Sequence, residues 1–369
     1  MKVIPLADRH HSLGAAFDVR EEWNVPLHYG DPVAEHLAVR SGVGLADLSG
    51  RGLACVTGED RLTWLQSIIS NDLRPVQPGH GLYSAFMNHK GKILSYFRVY
   101  VLDEEVWLED VRDVGETTYP ALRKFLLFGT KAKLASLTEQ WGVLLIAGPR
   151  APQVARAAFE IEVETFDLLE IRQIDVDGSR VLVALTEETG EIDVEVFAPA
   201  EGLSRIWDRL WEAGRSEQIR AVGRLALDSL RIEAGLPKGG AELTEAIVPP
   251  EANLEGKAFS LTKGCYPGQE VVARMDTYGS VKRRLVGLVV HGPEGQLPEP
   301  GAKLFNDGRE IGWVSSAAYS PVLKQVVALG FPLRDFTRPD TPLLVDLHGN
   351  RVPAVVHPLP FYSRSQKSN

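Results

Sequence analysis

The residue types best suited to chemistry in this chain lie together in one segment, Lys-Gly-Cys-Tyr-Pro-Gly-Gln-Glu, at positions 263–270. Its Pro-Gly pair has the residue types of a type II turn, in which proline supplies a fixed φ and glycine a positive φ. The residues that follow predict the first turn of a helix, with Glu270 at the positive end of the helix dipole. A thiol beside a helix N-terminus and near a lysine has its thiolate favoured at neutral pH. We therefore predict Cys265 and Lys263 as catalytic residues, with a cysteine that only packs in a turn as the alternative.

The same segment resembles the signature of the YgfZ-type folate-binding proteins, a branch of the superfamily that also contains the glycine-cleavage (GcvT-like) aminomethyltransferases. The other predicted motif residues are Gly264, Tyr266, Gly268, Gln269, Glu270 and Arg274. Upstream, residues 230–235 are similar to a Leu-Arg-x-Glu-Ala-Gly stretch that both branches share. The resemblance implies a protein that binds tetrahydrofolate and supports the assembly or repair of iron–sulfur enzymes. Cys265 is then expected to be a nucleophile, a redox-responsive thiol or a transient ligand, because one cysteine cannot hold a cluster alone.

The resemblance also implies which carboxylate contacts the folate. A pterin ring has a donor edge that a fixed carboxylate can read with paired, charge-assisted hydrogen bonds. Thr-Gly-Glu at 189–191 is similar to the segment that supplies this carboxylate in the aminomethyltransferase branch. Glu191 is therefore the predicted contact, although the neighbouring Glu187 and Glu188 leave the alignment open by one acid.

Three further residues complete the predicted folate site. Arg231 follows the shared Leu-Arg-x-Glu-Ala-Gly pattern and is expected to anchor a carboxylate or the ligand, with a structural salt bridge to Glu233 or another acid as the alternative. Tyr83 and Asn71 fall on other segments that match the superfamily. The predicted cofactor is tetrahydrofolate or a derivative, and the histidines form no pattern typical of a metal site.

The segment 88–96 argues against aminomethyl transfer. The corresponding segment of the aminomethyltransferase branch is similar to Asn-x-x-Gly-Gly-Ile-x-Asp-Asp. The resemblance implies that an aspartate of this segment is needed for the one-carbon chemistry. This chain has Ser95 and Tyr96 at the two acid positions. A hydroxyl group of ordinary, high pKa cannot replace a carboxylate base at neutral pH. An aminomethyltransferase of the glycine cleavage system is therefore the alternative function, next to an unrelated cysteine-dependent enzyme.

Composition limits the partners and the compartment. The 369 residues carry a net charge of −9, with 44% hydrophobic and 24% charged residues, which is ordinary for a globular protein and lacks the basic excess of a nucleic-acid surface. Two distant cysteines suit a reducing compartment. The N-terminus lacks the apolar core of a signal peptide, and no stretch approaches the ~20 apolar residues of a membrane helix. We expect a cytoplasmic protein whose partners are a reduced folate and, transiently, iron–sulfur proteins, without nucleic acid or membrane.

The hydrophobic patterns predict an α+β protein with a second, all-β unit. Strand and helix patterns alternate through residues 1–279, where we predict the folate-binding region as two interleaved subdomains, one of them centred on residues 51–140. From Leu285 onward short strands are separated by Gly- and Pro-containing turns, which predicts a β-barrel domain over residues 280–369. The resemblance refines the first region into a multi-domain body of aminomethyltransferase type around a folate-sized opening.

Overall fold

The computed structural model describes residues 1–279 and 281–364. Residue 280 and residues 365–369, which belong to the predicted barrel domain, lie outside the described residues. The division of the chain at 279/280 therefore stays a prediction, as does the subdomain centred on residues 51–140.

The described chain combines short helices with several small sheets. The strands are β1 (Lys2–Val3), β2 (Ala16–Arg20), β3 (Trp23–His28), β4 (Gly44–Asp47), β5 (Leu53–Thr57), β6 (His80–Met87), β7 (Ile93–Val101), β8 (Glu105–Asp110), β9 (Lys133–Ser136), β10 (Trp141–Ala147), β11 (Ile171–Val176), β12 (Ser179–Thr186), β13 (Asp193–Pro199), β14 (Arg220–Ala221), β15 (Val286–Val290), β16 (Lys303–Asn306), β17 (Arg309–Ser320), β18 (Gln325–Gly330), β19 (Pro342–Leu347) and β20 (Asn350–His357). The α-helices are α1 (Ala7–Ser12), α2 (Pro32–Ser41), α3 (Arg61–Ile68), α4 (Thr118–Arg123), α5 (Ala151–Phe159), α6 (Leu203–Ala213), α7 (Arg224–Glu233) and α8 (Gln269–Tyr278).

Two larger sheets build the body. One has the strand order β6-β7-β8-β5-β9 and is antiparallel throughout. The other has the order β11-β12-β13-β10-β4-β14, in which only the β4–β14 pair is parallel. A small sheet, β1-β3-β2, lies beside them. The predicted α+β class is confirmed.

Strand β7 shows why the body needs covering layers on both sides. Successive side chains of a strand point to opposite faces, and from Ser95 to Val101 every residue of β7 is buried. Tyr96 and Tyr100 belong to the central core between the two sheets. Phe97 and Val99 belong to a second core that contains residues of α3 and α4. Polar side chains on the central face of this strand are therefore forced into the protein interior.

The C-terminal strands close into a barrel with the order β15-β18-β17-β16-β19-β20. Small and branched side chains fill its interior, among them Leu288, Leu304, Val314 and Val345. The predicted β-barrel is confirmed.

Helix α7 joins the body to the barrel. It packs against α2 and β3 on one side and against the barrel strands β17 and β18 on the other. The helix begins directly after Gly223, where a Cβ atom would come within 2.4 Å of the carbonyl oxygen of Leu27. Only glycine permits this close approach. The contact therefore fixes where α7 begins, and with it the positions of the polar side chains that α7 carries between the sheets.

Candidate functional site

The turn before α8 has the predicted geometry. Gly268 has a φ of +81°, and α8 begins at Gln269. A Cβ on Gly268 would lie 2.7 Å from the carbonyl oxygen of Asn88 and 2.8 Å from Cα of Gly91. The turn is therefore pressed against the β6–β7 hairpin, while Cys265 is exposed and its thiol is free.

The other motif residues hold this segment in place. The hydroxyl of Tyr266 donates to the carbonyl oxygen of Ser260 over 2.8 Å, and Nε2 of Gln269 donates to the carbonyl oxygen of Lys263 over 3.2 Å. Glu270 and Arg274 form an exposed ion pair one turn apart on α8. Gly264 has open space around its Cα, so a side chain could be accommodated there. Apart from the exposed ion pair, the contacts of this motif anchor a loop.

Lys263 is buried and anchors the same loop. Its Nζ donates to the carbonyl oxygens of Ile69 and Asn71 over 2.7 and 2.8 Å. Burial lowers the pKa of Lys263 to about 8. Asn71 continues the connection, because its Nδ2 donates to the carbonyl oxygens of Tyr83 and Lys257. These bonds give Lys263 and Asn71 a structural role, and the predicted roles in catalysis and folate contact stay predictions.

The central cavity lies where the two sheets of the body meet α7. It has a volume of about 40 Å³. Its lining residues are Arg51, Tyr83, Tyr96, Val111, Arg112, Asp113, Glu187, Glu188, Arg224, Leu227, Asp228, Arg231, Leu236, Pro237, Lys238 and Lys257. The structure therefore brings together two predicted folate contacts, Tyr83 and Arg231, which are far apart in the sequence.

Aromatic and charged groups meet at one wall of the central cavity. The rings of Tyr83 and Tyr96 are stacked, with centroids 5.7 Å apart and an interplanar angle of 4°. Nζ of Lys257 lies 4.5 Å from the ring centroid of Tyr83 and also pairs with Glu187. Burial raises the pKa of both tyrosines, so their hydroxyls remain protonated at neutral pH. Tyr96, at one of the two expected acid positions, thus faces the cavity as a neutral group.

A buried charge network lies directly behind this wall. Arg51 and Arg98 bridge Glu109, Glu188 and Glu195, with Nη1 of Arg98 at 3.0 Å from Glu109 and 2.8 Å from Glu195. Burial alone would raise the pKa of Glu188, but the two guanidinium groups outweigh it and lower this pKa to about 2. Burial dominates at Glu195 and raises its pKa well above the ordinary value. The network therefore presents an ionised carboxylate, Glu188, to the cavity.

Sequence reasoning missed this network, although a signal for it exists. Arg98 and Glu195 each stand between apolar neighbours of a strand pattern, in Tyr-Phe-Arg-Val-Tyr and in Val-Glu-Val-Phe. A charge in a strand that is covered on both faces has to be paired, so these residues were candidates for a buried ion pair.

Glu191 lies elsewhere. Its Oε1 is 3.3 Å from Nη1 of Arg40, and the hydroxyl of Tyr362 donates to it over 2.5 Å. Glu191 is not among the residues that line the central cavity, whereas Glu187 and Glu188 of the same hairpin are. The structure therefore does not bring Glu191 together with Tyr83 and Arg231, and its predicted folate contact stays a prediction.

Arg231 separates the central cavity from a larger one. Its guanidinium is bonded to Asp228 over 2.8 Å, to Glu242 over 3.0 Å and to Ser316 over 2.8 Å. Arg231 therefore forms structural salt bridges with acids other than Glu233, and its predicted folate contact stays a prediction. The second space, which we call the outer cavity, measures about 690 Å³ and lies between α7, β17 and residues 297–301. Arg231 lines both cavities, together with Asp228 and Lys238.

Ser95 occupies the other expected acid position, next to Tyr96 on β7. It is buried, and its Oγ has no hydrogen-bond partner among the described residues. Because Tyr96 is neutral, no carboxylate reaches the central cavity from this strand. The acids that line it are Asp113, Glu187, Glu188 and Asp228.

Comparisons with known proteins place the chain in a family. The model of the GCVT N-terminal domain matches residues 6–261, and that of the glycine cleavage T-protein C-terminal barrel domain matches residues 283–363. An aminomethyltransferase of Desulfitobacterium hafniense (strain Y51) is 31% identical over 364 residues, covering 99% of each chain. An aminomethyltransferase of Thermus thermophilus is 32% identical over 371 residues, covering 98% of this chain and 99% of its own. The crystal structure of the glycine cleavage system aminomethyltransferase T from Bartonella henselae superposes with a TM-score of 0.89 at 26% identity, covering 98% of each chain.

These comparisons correct the function expected from the cysteine segment. The expectation of a YgfZ-type protein that supports iron–sulfur enzymes is wrong as the main interpretation, because the relatives that match nearly the whole chain are aminomethyltransferases. Aminomethyltransferases of this family bind tetrahydrofolate as substrate or cofactor, so the expected cofactor is confirmed at the level of the family. No helix within residues 1–279 and 281–364 is long and apolar enough to cross a membrane. By its two domain matches and its full-length similarity, the chain belongs to the glycine cleavage T-protein (GcvT) family.

Proposed function

We propose that this protein binds a reduced folate between its sheets and α7 and transfers an aminomethyl-type one-carbon group to or from it. The observation that carries the proposal is the similarity to aminomethyltransferases along the whole chain, from the first helix to the barrel. The central cavity supports it, because it combines stacked tyrosines, carboxylates and Arg231 at one place.

The donor and acceptor groups of this site fit a folate. A pterin edge needs a fixed carboxylate, and the ionised Glu188 lines the cavity beside Glu187. Arg51 lines the same cavity, and its Nε is buried without a hydrogen-bond partner among the described residues. Ligand pockets usually measure roughly 300–1,000 Å³. The outer cavity has that size and the central cavity does not, so we assign the bulk of the ligand to the outer cavity and its reactive end to the central one.

We assign the carboxylate of the one-carbon chemistry to the hairpin that follows β12, because the two other acids at the central cavity, Asp113 and Asp228, are both paired with Lys238. Ser95 and Tyr96 cannot be ionised at neutral pH, so they cannot stabilise a positive charge on the transferred group. Glu188 is held ionised by Arg51 and Arg98 and can do so as a fixed charge. Tyr83 and Tyr96 would shield that charge from water. We therefore assign the stabilising role to Glu188.

Two measurements test the proposal. Calorimetric titration with tetrahydrofolate should show saturable binding, and incubation with tetrahydrofolate and an aminomethyl-loaded lipoyl carrier should release ammonia. Glu188→Gln should weaken folate binding at least about tenfold, which corresponds to roughly 1.4 kcal/mol, and Glu191→Gln should leave it unchanged. The absence of saturable binding at millimolar folate would show that the protein does not bind folate. Weaker folate binding in Glu191→Gln but not in Glu188→Gln would show that Glu191 is the carboxylate that contacts folate.

We also propose a branch of the superfamily and a cellular compartment for this protein. The segment 263–270 supports a place for the chain in the YgfZ-type branch of the superfamily, as a statement about sequence kinship that carries no iron–sulfur role. The low cysteine count supports a cytoplasmic location.

A further inference from the structure

Arg224 differs from the other buried arginines of the described residues. Arg40, Arg51, Arg98 and Arg231 each lie within 4 Å of at least one carboxylate. Arg224 is 3% exposed and has no such partner in the described part of the chain. Its Nη2 donates to the backbone carbonyl oxygen of Asp47 over 3.1 Å, and its Nε is buried without a hydrogen-bond partner among the residues that the structure describes.

The two acids whose charges act on Arg224, Asp113 and Asp47, are bound by other groups. Asp113, whose charge acts most strongly on Arg224, is bound by Lys238 through both oxygens over 2.9 Å and by Arg20 over 2.7 Å. The carboxylate of Asp47 is bound by His10 over 2.9 Å and by the backbone N–H of Ser49 over 2.8 Å. A buried guanidinium without a hydrogen-bonded carboxylate carries a desolvation cost that is not fully offset. A ligand that brings its own negative charge would remove that cost.

The position of Arg224 makes such a ligand accessible. Arg224 lies in the first turn of α7 and lines the central cavity together with Arg51. A cavity of about 40 Å³ has room for about three water molecules at roughly 10–15 Å³ each. A planar guanidinium fork matches a carboxylate through two parallel N–H···O bonds. The size of the space selects a small carboxylate over phosphate, sulfate or a bulky acid.

We propose that Arg224 and the central cavity form a binding site for a small planar carboxylate. The proposal goes beyond the proposed function, because it requires no folate and concerns a residue outside the segments that resemble the family motifs. Such a site would hold a carboxylate of three or four heavy atoms next to Glu188 and the tyrosine pair, when the reactive end of a folate does not occupy the central cavity.

Formate is the probe that tests this site without folate. Calorimetric titration of the purified protein with sodium formate at constant ionic strength should show one saturable site, and pivalate, whose tert-butyl group is too large for the cavity, should not bind. Arg224→Gln should weaken formate binding at least tenfold, and Arg224→Lys should restore part of the loss. Arg112→Gln is the matched control, because Arg112 lines the same cavity but pairs with Glu21, and its affinity should stay within threefold of the native protein.

Several outcomes would overturn the proposal. The first is the absence of saturable formate binding up to 100 mM. The second is equal binding of formate and pivalate, which would indicate an adventitious ion only. The third is an affinity for formate that is the same in Arg224→Gln as in the native protein. If Arg224→Gln does not fold, the formate and pivalate titrations of the native protein together with Arg224→Lys still decide the question. Folate binding measured separately distinguishes failure of this site from failure of the proposed function.

Discussion

The charge network behind the central cavity makes a quantitative prediction at Arg98. This guanidinium is fully buried and bonds to Glu109, Glu188 and Glu195, as well as to the carbonyl oxygen of Glu187. Arg98→Leu would leave three carboxylates with Arg51 as their only guanidinium in the network. Breaking a buried ion pair by removing one partner costs about 3–5 kcal/mol, a large share of a total stability of roughly 5–15 kcal/mol. We expect a loss of this size at pH 7, measured by urea unfolding followed by circular dichroism.

The pH dependence of this loss identifies its cause. In the native protein, Glu188 has a pKa of about 2, so its contribution is present above the unfolded-state value near 4.3 and is lost as the pH falls toward 2. Without Arg98, the pKa of Glu188 loses one of the two guanidinium groups that lower it and rises above the unfolded-state value, and the pKa of Glu195, which is raised already in the native protein, rises further. A raised carboxylate pKa favours folding at low pH and disfavours it as the pH rises. The difference between Arg98→Leu and the native protein should therefore be smaller at pH 5 than at pH 7.

A surface variant provides the control. Arg274 pairs with Glu270 on the exposed side of α8, and exposed helix pairs contribute about 0.3–0.5 kcal/mol. Arg274→Leu should therefore change the unfolding free energy by less than about 1 kcal/mol, with little dependence on pH. A loss below about 1 kcal/mol in Arg98→Leu, or a loss that is the same at pH 5 and pH 7, would refute the reasoning, because the network would then not carry an unpaired charge.

Three further predictions concern the segment 263–270. Cys265 is exposed, and burial raises the pKa of Cys55, so a thiol reagent should label one cysteine per native chain and none in Cys265→Ser; two rapidly labelled thiols would contradict this. Cys265→Ser should change stability by no more than about 0.5 kcal/mol, as is usual for exposed positions. Because the pKa of Lys263 falls to about 8 in the folded chain, the unfolded chain binds more protons between pH 8 and about 10.4, and stability should rise with pH in that window. Lys263→Met should lack this rise in urea midpoint, and an identical pH dependence of the two proteins would show that the ammonium is not desolvated.

Local sequence signals determined the turn and the barrel. A Pro-Gly pair before a helical pattern requires little more than its own residues, and Gly268 has the positive φ that this pair predicts. The strand patterns after Leu285 likewise predicted a barrel, because short strands separated by Gly- and Pro-containing turns at regular spacing are typical of one, and the strands close as predicted. The segments that resemble the superfamily also directed attention to Tyr83 and Arg231, which meet at one cavity.

The partners of the charged side chains were determined by the tertiary structure alone. Arg51 reaches Glu195 across 144 positions of sequence, and this contact exists only because the two sheets of the body meet. The same meeting places Glu188 at the cavity and Glu191 against Arg40, although the two acids are three positions apart. Local patterns specify which residues form a strand or a turn, but a charge inside the protein is stabilised by whichever groups the fold brings within a few ångströms. For that reason the sequence was enough to predict the strands, helices and turns around the site. The residues that line the site were determined by the packing of the sheets against α7.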